Sequence, residues 1–396
     1  MANPRSPLIP NPLAANYSRF RVSERILLTG HSHQAWPDIA FEAQQRAWLD
    51  AAELVDDKWD RAFEQAARVR AGFARLLGDA ADNIALGQNT HELVTRWLSA
   101  LPIKSRRHIV TTTGEFHTIR RQLDRLAEEG VEIARVPAQP VEELAERVAD
   151  AIDDRTLAVM VSSVLFGTAE IVPGLHRVAE ACEAHGAALL VDAYHHLNVV
   201  PFDVRAMGLE RAFVTGGGYK YCQLGEGNCF LRVPPATRLR PVLTGWFAEF
   251  QALDAANHQP TAVSYPAGAA AFAGATYDPT SHYRAAAVFD FHVAHELTPD
   301  RLRVISKYQV GLLETAIAAL DLDPSKARAV TMAPDRRAGF LAVRSPHATE
   351  LARALRQSAV FADSRGDILR LGPAPYVSDD QLHEAAAKLS RVVTRV

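Results

Sequence analysis

Cysteine is scarce in this chain: only Cys182, Cys222 and Cys229 occur among its 396 residues. Three cysteines make neither a disulfide framework nor a paired zinc motif, so a reduced, cytoplasmic setting is the expectation. Long apolar runs are missing as well. None approaches the roughly 18 residues that a membrane-spanning helix needs. The first twenty residues are broken by prolines and lack the apolar stretch of a secretory signal. Excess charge of one sign is also lacking, with 43 basic residues against 46 acidic ones. That balance removes the electrostatic case for nucleic acid or an anionic membrane as partner. No Gly-x-Gly-x-x-Gly fingerprint and no Gly-Lys-Ser/Thr phosphate loop follows a strand. Internal repeats and low-complexity tracts are absent, and no residue pattern calls for a metal.

What is present points to α/β architecture. The length and a hydrophobic content of 48% support one large domain plus a smaller one. Residues from Ser32 to about Leu77 read as helical, and a helix follows near Glu92 to Leu101. Short β-rich runs then alternate with amphipathic segments: strands at 108–113, 131–136, 157–163 and 188–192, with helices at 119–129, 141–152 and 175–185. Two further strands are expected at 212–215 and 228–233. Such alternation indicates βαβ units and a mostly parallel sheet covered on both faces. Past Tyr277 the pattern changes to helices at 281–295, 301–320 and 349–357, strands at 339–343 and 368–372, and a last helix from Ser378. This describes a smaller α+β domain. The Ala-rich stretch 267–275 suits tight packing or an interface.

Open α/β sheets bind ligands at the carboxyl ends of their strands. Asp192 closes the run ALLVD, and Lys220 follows the run AFVT through Gly216, Gly217, Gly218 and Tyr219. Alone, the aspartate could be a turn residue and the lysine merely solvated. Together they meet the needs of pyridoxal 5′-phosphate (PLP). A buried carboxylate keeps its pyridine nitrogen protonated. A lysine amine binds its aldehyde and later carries protons. The glycines let backbone pass close by. Gly87-Gln88-Asn89-Thr90-His91 opens a helix and offers N–H groups to a phosphate, although Asn89 or Thr90 could equally be an ordinary cap. Phe116, after the strand HIVTTT, could stack on the ring or simply pack there.

These residues carry a resemblance. The succession Asn89-Thr90, Glu115-Phe116, Asp192-Ala193-Tyr194-His195, Gly218-Tyr219-Lys220-Tyr221 and Gly245-Trp246 resembles the fold-type I PLP enzymes of aminotransferase class V. Within that class the chain is most similar to the kynureninases. Their Ser-Tyr-Lys-Tyr motif is matched except that Gly218 replaces the serine. Their Asp-x-Ala-His segment keeps its Asp and His as Asp192 and His195. Their Ile-Arg-x-Ala-Pro-x-Pro-x-Tyr pattern corresponds to Leu369-Arg370-Leu371-Gly372-Pro373-Ala374-Pro375-Tyr376, and an early Gly-Asn-Ser to Gly30-His31-Ser32. The chain departs from the pattern at Ile119, which stands for an aspartate, and at Phe247 and Glu249, which stand for Trp and His.

The resemblance implies a PLP-dependent transferase fold of type I. It would have a large domain with a mostly parallel seven-stranded sheet (residues 56–279) and a small α+β domain (280–396), with an N-terminal segment (1–55) packing on the latter. It also implies roles. Lys220 would bind the cofactor covalently, Asp192 would pair with the pyridinium and Phe116 would stack on it. Thr90, Tyr219 and Trp246 would surround the phosphate, with Asn89, His91 and His195 as further cofactor neighbours. Thr276 would reach the phosphate across the interface of a homodimer with shared active sites. Arg370 would hold the α-carboxylate of an amino acid substrate, with His33, Tyr194 and His195 as substrate contacts and Tyr219 in acid–base chemistry. The implied reaction is hydrolytic Cβ–Cγ cleavage of kynurenine, 3-hydroxykynurenine or a related aryl-keto amino acid. The alternative is another class V enzyme, a lyase, aminotransferase or epimerase, using the same Lys220 and Asp192. Persulfide chemistry is disfavoured because no cysteine follows Cys229.

Overall fold

A computed structural model describes residues 11–252 and 263–396. The first ten residues of the expected N-terminal segment thus lie outside the described residues. In chain order the elements of the first half are β1 (Ile26–Leu27), α1 (Ile39–Leu54), α2 (Lys58–Leu77), β2 (Ile84–Gly87), α3 (Thr90–Ala100), β3 (His108–Thr112), α4 (His117–Glu128) and β4 (Glu132–Val136). There follow α5 (Leu144–Asp150), β5 (Thr156–Ser162), α6 (Leu175–Ala184), β6 (Ala188–Asp192), β7 (Phe213–Gly217) and β8 (Cys229–Arg232). The remainder comprises α7 (Thr280–Ala294), α8 (Pro299–Ala318), β9 (Arg328–Ala329), β10 (Leu341–Arg344), α9 (Ala348–Gln357), β11 (Val360–Phe361), β12 (Asp363–Arg365), β13 (Ile368–Leu371) and α10 (Asp379–Val393).

The large sheet has seven strands in the order β2-β8-β7-β6-β5-β3-β4. Neighbours from β7 to β4 pair parallel, and only β8 runs against the rest. The sequence explains the layering. All seven residues of β5, TLAVMVS, are buried, because helices cover both faces. The edge strand β4 is largely exposed. In α4 the apolar pair Ile119 and Leu123 faces the sheet one turn apart while arginines face water. From β3 the chain steps outward to β4, then returns to the other side of β3 for β5, β6 and β7. That reversal is the topological switch where α/β sheets open a crevice.

The smaller sheet, β12-β13-β10-β9, is antiparallel, and α8, α9 and α10 pack around it. Ser378 and Gln381 form a reciprocal capping box that starts α10. The N-terminal segment joins this unit: β1 pairs parallel with β11, and Tyr17 packs on Tyr376 at 4.7 Å between rings. Helix α7 is shared, with Phe289 in the large-domain core and Phe291 in the small-domain core.

Two local expectations are corrected. Residues 28–38 are irregular, with a bridge at Thr29 and turns, so the expected helix from Ser32 begins only at Ile39; Pro37 lacks an N–H and disfavours helical backbone at Trp36, so no helix runs through from Ser32. The strand expected to end at Thr215 runs on through Gly216 and Gly217, which pair with Phe230 and Cys229. Strand β2, unexpected from sequence, fills the other side of β8.

Candidate active site

A cavity of about 290 Å³ opens at the carboxyl ends of the central strands. Nine of the expected residues line it: Asn89, Thr90 and His91 from the start of α3, Phe116 before α4, Asp192, Tyr194 and His195 after β6, and Tyr219 and Lys220 after β7. The remaining four do not. Trp246 is 45% exposed and packs on Phe247 and Phe250, because its apolar ring finds partners in that aromatic cluster rather than beside Thr90. Thr276 is exposed, outside this chain's own cavity. His33 stands at the rim, two-thirds exposed, with its imidazole stacked 5.0 Å from the Tyr219 ring. Arg370 lies in β13 and is engaged by Asp363.

Lys220 is the centre of the site. Its side chain is buried, with Nζ 2.7 Å from His195 Nε2 and 4.5 Å from the centroid of the Tyr194 ring. The Phe116 ring lies 5.5 Å away. Burial drives its amine down to about 7, against the pull of the Asp192 carboxylate, while Arg370 adds to the depression. An amine in this state is substantially a free base at neutral pH. Asp192 accepts a hydrogen bond from the Tyr194 N–H at 2.8 Å. Its carboxyl is raised by burial, with that hydrogen bond and Lys220 acting in the opposite sense. The two groups thus share one low-dielectric pocket and feel each other's charge.

Beneath Asp192 sits Glu115, which the sequence pattern included without a role. It accepts hydrogen bonds from Thr112 Oγ1 and Ser162 Oγ, both at 2.6 Å, and from the Ser162 N–H at 3.2 Å. Burial lifts its carboxyl to about 7, those hydrogen bonds oppose the rise, and the Asp192 charge reinforces it. Thr112 ends β3 and Ser162 ends β5, so Glu115 bridges the switch point. Its place before Phe116, three residues past the buried strand β3, was the available signal. Cys229 also lines the cavity, its thiol pushed up to about 12 by burial and in contact with the Tyr194 hydroxyl at 3.7 Å.

The donor set fits PLP. Asn89 caps α3 by accepting from the Glu92 N–H at 2.8 Å, the Thr90 N–H bonds to the Cys229 sulfur, and the start of a helix is suited to a phosphate. Of the two sequence readings of Asn89, the cap is observed. His195 leaves Nδ1 buried with no hydrogen-bond partner beside the cavity, a cost that a bound polar group would remove. Lys220 would take the aldehyde, Asp192 the ring nitrogen and Phe116 the ring face.

Comparisons with known proteins agree with this geometry. A family model for aminotransferase class-V matches residues 54–276, and one for the kynureninase C-terminal domain matches residues 302–389. The chain is 24% identical to the uncharacterized aminotransferase YcbU of Bacillus subtilis over 87% of this chain and 88% of that protein. It is 26% identical to a kynureninase of Deinococcus radiodurans over 88% and 82% of the two chains. A cysteine desulfurase IscS of Rickettsia akari is 26% identical over 47% of this chain and 45% of its own. Among solved structures, the apo cysteine desulfurase of Thermococcus onnurineus superposes with a TM-score of 0.82 at 16% identity, covering 98% of each chain. The cystine C–S lyase C-DES in complex with cysteine persulfide superposes with a TM-score of 0.79 at 15% identity, covering 93% of this chain and 98% of that one.

Proposed function

This chain belongs to the aminotransferase class-V family, with pyridoxal phosphate as its cofactor, and from that premise we propose that it is a kynureninase-type hydrolase. Its substrate would be kynurenine, 3-hydroxykynurenine or a related aryl-keto amino acid, and its products alanine and an anthranilate-type acid. The observation that carries this reading is the continuous kynureninase-type C-terminal domain at 302–389, which contains Arg370 and no cysteine. The three cysteines of the chain are all buried in the large domain, which speaks against a mobile sulfur nucleophile.

When bound, pyridoxal phosphate supplies an electron sink for a bond breaking at the substrate amino acid. The side chains do the rest. Arg370 anchors the α-carboxylate through its planar fork of donors. The Lys220 amine, a free base near neutral pH, takes the proton from Cα and returns it. Asp192 holds a proton at the ring nitrogen. Tyr219, whose hydroxyl burial pushes up to about 12, stays protonated and can donate as water adds to the γ-carbonyl and the Cβ–Cγ bond opens.

A second reading, as a lyase, aminotransferase or epimerase of the same family, draws support from Ile119. Where the kynureninase pattern has a carboxylate, this chain has an isoleucine that is 1% exposed in the core. Both readings carry the proposal of a homodimer in which Thr276 serves the neighbouring site. Incubating the holoprotein with kynurenine and 3-hydroxykynurenine tests the choice. Release of a fluorescent anthranilate with equimolar alanine supports the hydrolase, and turnover of other amino acids alone overturns it.

A further inference from the structure

The cradle of Arg370 reaches across the whole chain. In β13 the side chains of Leu369 and Leu371 enter the small-domain core, so Arg370 projects from the opposite face. That face adjoins Phe340, Tyr221 and Val199. Register places Asp363 of β12 directly opposite Arg370. Its carboxylate accepts from Arg370 Nε at 2.9 Å and from one terminal nitrogen at 2.5 Å, while the other terminal nitrogen donates to the Phe166 carbonyl at 2.8 Å. Three of five guanidinium N–H groups are used, and two remain, as many as a substrate carboxylate takes. Phe166, whose carbonyl Arg370 holds, packs its ring 5.3 Å from that of the cavity residue Phe116, so the guanidinium lies beside the pocket, and its charge is felt at Lys220 and at His195.

His31 completes the arrangement. It comes from the N-terminal segment, 332 residues from Asp363, and its Nε2 lies 2.7 Å from Asp363 Oδ1. It is fully buried, 4.6 Å from the Phe340 ring, and fixed by backbone bonds between Gly30 and Gly372 and between Gly372 and Leu28. A Cβ on Gly372 would come within 2.3 Å of His31 Nδ1, so only glycine fits there. Burial lowers the imidazole to about 4, which keeps it neutral, with Nε2–H donating to Asp363 and Nδ1 unpartnered. Although burial opposes it, the bonds from His31 and Arg370 hold the Asp363 carboxyl well below the usual carboxylate range.

We propose that Asp363 and His31 are positioning residues that lock the Arg370 fork for a planar carboxylate, making the N-terminal segment a working part of the substrate site. This rests on the reading of Arg370 as the carboxylate anchor. It differs from a simple charge effect in the sign of its outcome. Asp363 cancels the charge of Arg370, so electrostatics alone predicts that removing it tightens anion binding. Positioning predicts that binding weakens, because the guanidinium loses its fixed plane.

The test titrates holoprotein with L-alanine and with L-alaninamide, following the visible absorbance of the bound cofactor. Asp363→Asn should weaken alanine by about tenfold or more, the loss typical of a charge-assisted hydrogen bond, and leave alaninamide unchanged. His31→Leu should weaken alanine in the same selective way, and His31→Gln, which restores an N–H donor, should recover most of the loss. The histidine pair keeps the test decisive should Asp363→Asn fail to fold. Arg370→Ala is the control for the underlying reading: it should erase the preference for alanine over alaninamide. If it does not, the carboxylate site lies elsewhere and that reading falls. If it does, while Asp363→Asn and His31→Leu bind alanine as tightly as the parent protein or more tightly, the positioning role alone is overturned.

Discussion

The amine of Lys220 and the imidazole of His195 meet at 2.7 Å, both buried, and the amine lies over the face of the Tyr194 ring. Burial pushes His195 well below its ordinary value, with the positive charges of Lys220 and Arg370 adding to the effect. A neutral imidazole and an amine near 7 form a site in which the nucleophilic free base exists without strong alkali. Uptake of pyridoxal phosphate by the apoprotein should therefore accelerate as pH rises through about 7 and then level off. An ordinary lysine would go on gaining up to about 10.4. Stopped-flow absorbance measures this directly. Lys220→Ala should give no covalent adduct after borohydride reduction, as read by mass spectrometry.

Asp192 shifts that profile in a defined direction. Its charge opposes the depression of Lys220, so removing it lowers the amine further. Asp192→Asn should still take up the cofactor, with the midpoint of the uptake profile moved below that of the parent protein. Turnover should fall by about a hundredfold or more, because nothing then holds a proton at the ring nitrogen. A midpoint that moves upward instead would show that the two side chains are not electrostatically coupled as described.

Much of this was readable from the sequence, and the reasons are local. Asp192 closes one apolar run and Lys220 follows another through a short glycine stretch, and such runs are buried strands, so position along the chain reveals position in the crevice. Asn89 announces itself as the cap that opens α3. What escaped depends on register and on distant packing. Strand β2 has four residues between two helices, too few for a periodic signal. Asp363 meets Arg370 only because β12 and β13 pair in one particular register around the turn at Gly366, and His31 joins them from the far end of the chain. Trp246 illustrates the converse. The family resemblance implies a place by the phosphate, yet within this chain its ring packs on Phe247 and Phe250.

The three glycines before Tyr219 have a packing cause. A Cβ on Gly217 would lie 2.4 Å from the Tyr194 hydroxyl oxygen and 2.5 Å from Cys229 Sγ. The missing side chain lets the Tyr194 ring slide under Lys220. Gly217→Ala should cost about 1–3 kcal/mol in a urea unfolding curve, the usual range for overpacking. It should also slow cofactor uptake, since the ring that supports the amine must move. Phe230, stacked beside Gly216 on the next strand, should show no comparable effect on uptake when replaced by Leu.

Glu115 gives a pH signature of its own. Its folded-state carboxyl is raised to about 7, mainly by burial, above an unfolded value of about 4.3. A carboxyl raised on folding binds its proton more tightly in the native state. Its contribution is therefore most favourable below about pH 4.3 and erodes as pH climbs through about 7. Glu115→Gln removes that titration while keeping groups able to bond with Thr112 and Ser162. Relative to the parent protein, the variant should gain stability as pH rises from 5 to 8, by on the order of 2 kcal/mol. The difference in thermal midpoint between the two proteins, followed across that range, measures it. Because Asp192 raises Glu115 through its own negative charge, the same difference should shrink in an Asp192→Asn background, which ties the bridge at the switch point to the carboxylate proposed to pair with the cofactor.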